Sequence, residues 1–157
     1  MKFIPLLLVC LSVLALEPVP PIRGKVVAVT DGDTVKVLVA NRVVTVRLWG
    51  IDAPEKNQAY GAQAKTALSE LVFGKVIEVE TFGQDKYRRT LGRLYVGEGA
   101  DRVDVNRHMV ETGFAWWYEK YAPTAVDLQK AQEAAKEGKL GLWAENNPMP
   151  PWAWRKR

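Results

Sequence analysis

Apolar and polar positions change period along this chain, and the changes divide it into strands first, then strands mixed with helices. Residues 24–29 are a β-branched run halted by Thr30-Asp31-Gly32, a turn signal. Over 34–39, Val35, Val37 and Val39 alternate with Thr34, Lys36 and Leu38, which predicts a strand with one buried face. Asn41-Arg42 makes a short turn, and 43–49 follows as a third strand. Connections this tight predict an antiparallel meander.

The period then lengthens. Within 60–73, Ala64, Ala67, Leu68, Leu71 and Val72 fall on one helical stripe, and Gly74 ends it. A fourth strand is predicted over 75–81, with Val76 and Val79 among its apolar residues, and a fifth over 90–96, left through Gly97-Glu98-Gly99. A short helix is expected over 105–111, closed by Gly113. A longer one is expected over 123–137, with Pro123 in its first turn and Gly138 just past its end. Leu128, Ala131 and Ala135 give that helix its apolar face.

Five strands with a helix between the third and fourth predict an α+β, mainly β chain: a five-stranded OB-type Greek-key barrel with three helices. The 157 residues suffice for one domain with a real core, assigned to 22–145, and there is no repeat or low-complexity tract. The Pro- and Trp-rich basic tail, 146–157, carries Trp152, Trp154 and Arg155-Lys156-Arg157. It is expected to be loosely attached, with its basic end aiding solubility.

The first residues follow neither period. Lys2 precedes an apolar run over 3–16, interrupted by Pro5, Cys10 and Ser12, which has the n-region and h-region of a secretory signal. The run is too short to span a bilayer comfortably. Small residues at Val13 and Ala15 place cleavage after Ala15, giving a signal over 1–15, a stiff Pro-rich leader over 16–21, and a secreted or periplasmic protein. An uncleaved signal acting as a membrane anchor is the alternative. Cleavage would remove Cys10, the single cysteine, so the mature protein would rely on its core without disulfides. The excess of 22 Lys and Arg over 18 Asp and Glu suits a polyanionic partner without requiring one.

Chemistry gathers at three places. Asp31-Gly32-Asp33-Thr34 lies at the first turn and by itself reads as turn residues, since Asp-Gly is a common tight-turn pair. The run Arg47-Leu48-Trp49-Gly50-Ile51-Asp52-Ala53-Pro54-Glu55 changes this. It sets a basic residue on a strand and two acids, three apart and stiffened by Pro54, on the loop after it. Packing does not ask for these acids. Brought beside Asp33 by the meander, they would form an all-oxygen site suited to a hard cation such as Ca²⁺ or Mg²⁺. His108, the single histidine, lies on the short helix and reads as a surface or packing residue. The polar loop Asp85-Lys86-Tyr87-Arg88-Arg89 would supply positive charge to a bound phosphate.

Together these runs resemble the staphylococcal nuclease (thermonuclease) family, in order and roughly in spacing. The likeness continues through Gly113-Phe114-Ala115, Tyr121 and Leu140-Gly141-Leu142-Trp143. The resemblance implies an OB-type barrel with three helices that cleaves DNA and RNA using Ca²⁺, with Mg²⁺ less suited. Asp33 and Asp52 would ligate the ion together with the backbone carbonyl of Ala53, where family members often carry Thr. Glu55 would orient or deprotonate the attacking water, and Arg47 and Arg89 would stabilise charge on phosphorus. Lys86 and Tyr87, in the loop that begins at Asp85, would hold a terminal phosphate, and Tyr121 would pack on a base. Arg88 stands where the family commonly has glycine, and Glu119 where the namesake has a tyrosine. Trp116 and Trp117 either stack on bases or close the barrel core.

Three functions follow. The first is an active nuclease, monomeric and without a stable protein partner. The second is a non-catalytic OB module that binds nucleic acid or protein. The third is an exported Ca²⁺-binding structural domain, which leaves Arg47 and Arg89 idle. The intact set Asp33, Arg47, Asp52, Glu55 and Arg89 favours the enzyme.

Overall fold

The structure, a computed structural model, describes residues 20–157. The expected signal over 1–15, and most of the leader over 16–21, lie outside the described residues. Among the described residues eight strands form: β1 (Ile22–Asp31), β2 (Thr34–Val39), β3 (Arg42–Leu48), β4 (Ile51–Asp52), β5 (Val76–Gln84), β6 (Thr90–Val96), β7 (Val103–Asp104) and β8 (Trp116–Trp117). The helices are α1 (Gly61–Val72), α2 (Val105–Glu111), α3 (Val126–Glu137) and the single turn α4 (Pro151–Trp154). No helix among the described residues is long and apolar enough to cross a membrane.

The meander is present: β1 pairs antiparallel with β2 (Val26 opposite Val37), and β2 with β3 (Val35 opposite Val46). β1 also pairs antiparallel with β5, and β5 with β6. β6 then runs parallel to β3, with Val46 opposite Thr90 and Leu48 opposite Gly92, so the five strands close on themselves. β7 extends one edge beside β6. This is the OB-type α+β barrel that the spacing predicts. The barrel strands close with aliphatic, mostly β-branched side chains inside: Val26, Val35, Val37, Val46, Ile77, Val79 and Leu94 are all buried. Each such side chain contributes roughly 1.5–3 kcal/mol by leaving water.

The helices plug and buttress the barrel. α1 buries Ala64, Leu68 and Val72 of the predicted stripe. α2 is capped by Asp104, whose carboxylate accepts the Arg107 N–H, and it buries Val105, Met109 and Val110. Asn106, wholly buried on α2, accepts the Leu94 N–H at 3.0 Å and donates to the carbonyls of Trp49 (2.8 Å) and Gly92 (3.1 Å). It therefore ties the helix to both strands of the parallel seam. α3 is held by Arg93, which bridges Asp104 and Asp127. Burial alone would lower the Arg93 pKa, but these two carboxylates hold it above the ordinary range.

Several expectations change. β1 is longer than 24–29, reaching Asp31 through two register irregularities, so the tight turn is Gly32-Asp33 and not Thr30-Asp31-Gly32. β5 runs on to Gln84. α3 starts at Val126, leaving Pro123 in the preceding loop instead of in the first turn. Trp116-Trp117 pairs with Ile51-Asp52, a two-stranded sheet formed by segments far apart in sequence. Trp117 packs against the core and donates its indole N–H to the Ala122 carbonyl at 2.9 Å, the core-closing role open to one of the two tryptophans.

The tail is not loose. Pro151 is buried, Trp152 stacks on Tyr118 with ring centroids 5.0 Å apart, and Trp152 meets Trp116 edge-on at 5.5 Å. Three aromatic rings that would otherwise face water hold the segment down, which composition alone does not reveal.

Candidate active site

The site lies where the β1–β2 turn meets the loop after β4. Gly32 makes this approach possible, because a Cβ there would come within 2.7 Å of the Ala53 and Ala64 methyl carbons. With the turn this close, Asp33 accepts the Ala53 N–H on Oδ2 at 2.8 Å and the Thr34 hydroxyl on Oδ1 at 3.1 Å. The Asp33 N–H donates to Asp31 Oδ1 at 3.1 Å. Two carboxylates of one turn are thereby committed to the mouth of the barrel, where Asp-Gly alone indicated a turn.

Arg47 joins turn and loop. Its Nη1 donates to the carbonyls of Leu48 (2.8 Å) and Ile51 (2.9 Å). Its Nη2 lies 3.0 Å from Asp52 Oδ1 and 3.1 Å from Asp33 Oδ2. Three of the five guanidinium N–H groups thus donate hydrogen bonds, and the contact with Asp33 is an ion pair. The fixed fork aligns the two acids, and Arg47 cannot turn to a ligand without releasing one of them.

Electrostatics follow from burial. Asp52 is 1% exposed, and burial pushes its pKa above the ordinary range; hydrogen bonds from Arg155 and the charge of Arg47 oppose that rise. Asp31 is raised to about 6, first by burial and then by the neighbouring charge of Asp33. Such crowding of acids makes the mouth avid for positive charge.

Glu55 is further out, its side chain 35% exposed. Gln58 positions its backbone by accepting the Glu55 N–H on Oε1 (3.1 Å) and donating its own N–H to the Glu55 carbonyl (2.9 Å). α1 begins directly against this loop: a Cβ on Gly61 would lie 1.9 Å from the Glu55 carbonyl oxygen, so only glycine fits.

Arg89 is the last residue of the loop before β6, whose first residue, Thr90, lies opposite Val46 across the parallel seam. It makes no contact with the acids of the mouth; its Nε donates to Asp85 Oδ2 at 2.6 Å. Burial raises Asp85, but the N–H groups of Arg89 and Tyr87 and the Arg89 guanidinium together outweigh it and hold its carboxyl below the usual range. Asp85 is therefore a positioning group for the loop. Arg88 takes a left-handed φ of 63°, the conformation that the family's usual glycine adopts freely. Lys86 lies 5.0 Å from the Tyr87 ring, and Tyr87 itself is 67% exposed. Tyr121 is also exposed and meets Tyr118 edge-on at 4.8 Å. The structure thus brings Asp33, Arg47, Asp52, Ala53 and Glu55 together, and joins none of Asp85, Lys86, Tyr87, Arg89 and Tyr121 to them by a hydrogen bond or ion pair.

Three participants escape the sequence. Asp31 reads as a turn residue, and Gln58 carries no signal beyond its place after Glu55. Arg155, assigned to solubility, reaches the mouth. Its Nη2 lies 2.8 Å from Asp52 Oδ2, and its Nη1 is 3.2 Å from Asp52 Oδ1 and 2.6 Å from Glu55 Oε1.

Among the described residues no group of three or more Asp, Glu, His or Cys side chains is placed to hold an ion by itself. The Asp33 and Asp52 carboxylates converge on Arg47, the Ala53 backbone meets Asp33 through its N–H, and the two acids offer oxygen alone. They fit a hard cation that completes its shell with a carbonyl and water, and they do not fit a thiophilic one.

Residues 45–145 match the staphylococcal nuclease homologue family, and the chain belongs to that family. It is 43% identical over 158 aligned positions to an uncharacterized endonuclease of Escherichia coli, covering 99% of this chain and 98% of that protein. It is 39% identical over 140 positions to a micrococcal nuclease of Shigella flexneri, covering 85% and 80%. A probable staphylococcal-like nuclease of Oryza sativa subsp. japonica is 40% identical over 111 positions, 71% of this chain but 32% of that longer protein.

Proposed function

We propose that this chain is a nuclease that hydrolyses phosphodiester bonds of DNA and RNA with the help of Ca²⁺, Mg²⁺ being less suited. The carrying observation is the buried pairing of Asp33 and Asp52 on Arg47, with Glu55 left at the solvent edge beside them. A module that only bound nucleic acid would gain nothing from acids at its mouth, since they repel phosphate. A structural Ca²⁺ domain would not need Glu55 or Arg89.

In this reading Asp33, Asp52 and the Ala53 carbonyl hold the cation, which when bound draws charge from the phosphate oxygens and orients water. Ala53 serves as well as Thr for this, because the ligand is the backbone oxygen and the side chain is buried against Gly32. Glu55 accepts a proton from the attacking water as its oxygen bonds to phosphorus, and the P–O bond to the leaving group breaks. Arg89 has Nη groups beyond the Nε that Asp85 holds, and these are directed to the charge building on phosphorus. Arg47 holds the two ligands side by side and reaches the phosphate with the N–H groups they leave free. Lys86 and Tyr87 form an exposed seat for a terminal phosphate, and Tyr121 a surface for a base. In this reading the protein acts as a secreted or periplasmic monomer, and the signal-like N-terminus supports its export.

The test is cleavage of single-stranded DNA and RNA in millimolar Ca²⁺, then in excess chelator. Activity is expected to stop with chelator and to fall about 10²–10³-fold in Glu55→Ala and in Arg89→Ala. Undiminished cleavage in chelator, or full activity of both variants, overturns the mechanism.

A further inference from the structure

The C-terminal segment holds its position without using its charges. Pro151 is buried and Trp152 is stacked on Tyr118. Trp154 Nε1 donates to Asn57 at 3.3 Å, and the Met149 carbonyl accepts from Gln58 Nε2 at 2.6 Å. These contacts deliver Arg155 to the carboxylates from a docked strap, so its effective concentration at the mouth is fixed by the fold and is high.

The two guanidiniums on Asp52 differ in what else they hold. Arg47 is bound to the carbonyls of Leu48 and Ile51 as well as to acids, so it has reason to stay. All three hydrogen bonds of the Arg155 guanidinium go to the oxygens of Asp52 and Glu55. It covers both oxygens of Asp52, while its side chain remains 42% exposed and has room to swing outward. An ion that takes Asp52 as ligand needs an oxygen that Arg155 already occupies, and two positive groups on one carboxylate repel each other.

We propose that Arg155 is a further working residue of this site: a tethered guanidinium that competes with the cation for Asp52 and Glu55, and so sets the concentration at which the cation binds. The inference rests on the cation site of the proposed function. It assigns Arg155 a positioning role, holding Asp52 and Glu55 in place until the ion takes over the charge.

The test is calorimetric titration of the full chain with Ca²⁺. Arg155→Gln is expected to bind about 10-fold more tightly than the parent, equivalent to about 1.4 kcal/mol. Arg155→Lys, which keeps the charge but cannot bridge two carboxylates with a planar fork, should fall between them. Lys156→Gln makes the same change in charge on the exposed neighbour and is expected to shift affinity less than about 2-fold, as a solvated charge does. Asp52→Ala is expected to lose binding. Equal shifts in Arg155→Gln and Lys156→Gln, or weaker binding in Arg155→Gln, overturn the competition while leaving the cation site standing. Unchanged binding in Asp52→Ala overturns the cation site and the competition with it.

Discussion

Replacing Arg47 by Gln isolates what the central guanidinium contributes. The side chain is 12% exposed and makes four contacts, two to carbonyls and two to carboxylates. Losing one partner of a buried ion pair costs about 3–5 kcal/mol, because the remaining charge is left without compensation. Glutamine can regain one hydrogen bond, worth roughly 0.5–1.5 kcal/mol, and Arg155 still covers Asp52. The expected loss is therefore at the low end, about 3 kcal/mol at neutral pH in chelator. The cost falls on ionised carboxylates, so it has a definite pH dependence. Asp52, already raised by burial, rises further when Arg47 is removed. Above its folded pKa the buried charge destabilises the variant; below the unfolded value both states are protonated and the penalty disappears. Urea unfolding of parent and variant at about pH 7.5 and about pH 4 measures both. A difference below about 1 kcal/mol at the higher pH, or one that does not shrink in acid, refutes the assigned role of Arg47.

Two further outcomes are expected. Asp31 is raised to about 6 chiefly by burial, so its contribution to stability is full below the unfolded value and is lost as pH rises through the folded one. Asp31→Asn, whose side-chain oxygen can still accept the Asp33 N–H, should flatten that decline and be more stable than the parent at neutral pH in chelator. Unfolding free energies across the acid-to-neutral range decide this, and parallel curves count against it. Asn106→Ala leaves the Leu94 N–H and the Trp49 and Gly92 carbonyls buried with lost partners. At roughly 1–3 kcal/mol for an orphaned buried group, with some carbonyls partly satisfied elsewhere, a loss of about 3 kcal/mol is expected in chemical denaturation.

What the sequence disclosed depended on how far apart the cooperating residues are. The meander, the α1 stripe and the Arg47-to-Glu55 run were legible because periodicity and spacing act within about ten residues. The strand pair Ile51-Asp52 with Trp116-Trp117 was not, since two-residue strands leave no period to read. Arg155 stands 103 positions from Asp52, and in a tail of Pro, Trp and basic residues nothing marks one arginine as different from its neighbours. Asp31 was hidden in another way. Its residue type suits a tight turn so well that the turn accounts for it, and only the depth at which β1 ends shows the carboxylate inside the mouth. Pro123 misled for the same local reason: proline favours a helix start, but the segment through Ala125 is occupied by turns that fasten Ala122 to Trp117.

The distribution of exposure across the site carries a last argument about how it works. Asp33, Asp52 and Arg47 are nearly dry and hold one another, whereas Glu55 and Arg89 are about one-third exposed and Tyr87 and Tyr121 are more exposed still. Charged groups that must offer one geometry to a small ion benefit from being fixed and desolvated beforehand, since nothing need reorganise when the ion arrives. Groups that meet a flexible polynucleotide gain less from rigidity, because the substrate brings its own conformations. Arg89 falls between these demands, and Asp85 resolves them. One carboxylate oxygen holds Nε, the other accepts the Tyr87 and Arg89 N–H groups, and neither oxygen takes a hydrogen bond from Nη. The loop can therefore keep its guanidinium oriented without burying it. Removing Asp85 is consequently a loss of aim and not of charge, a difference that would appear as slower turnover with substrate binding largely retained.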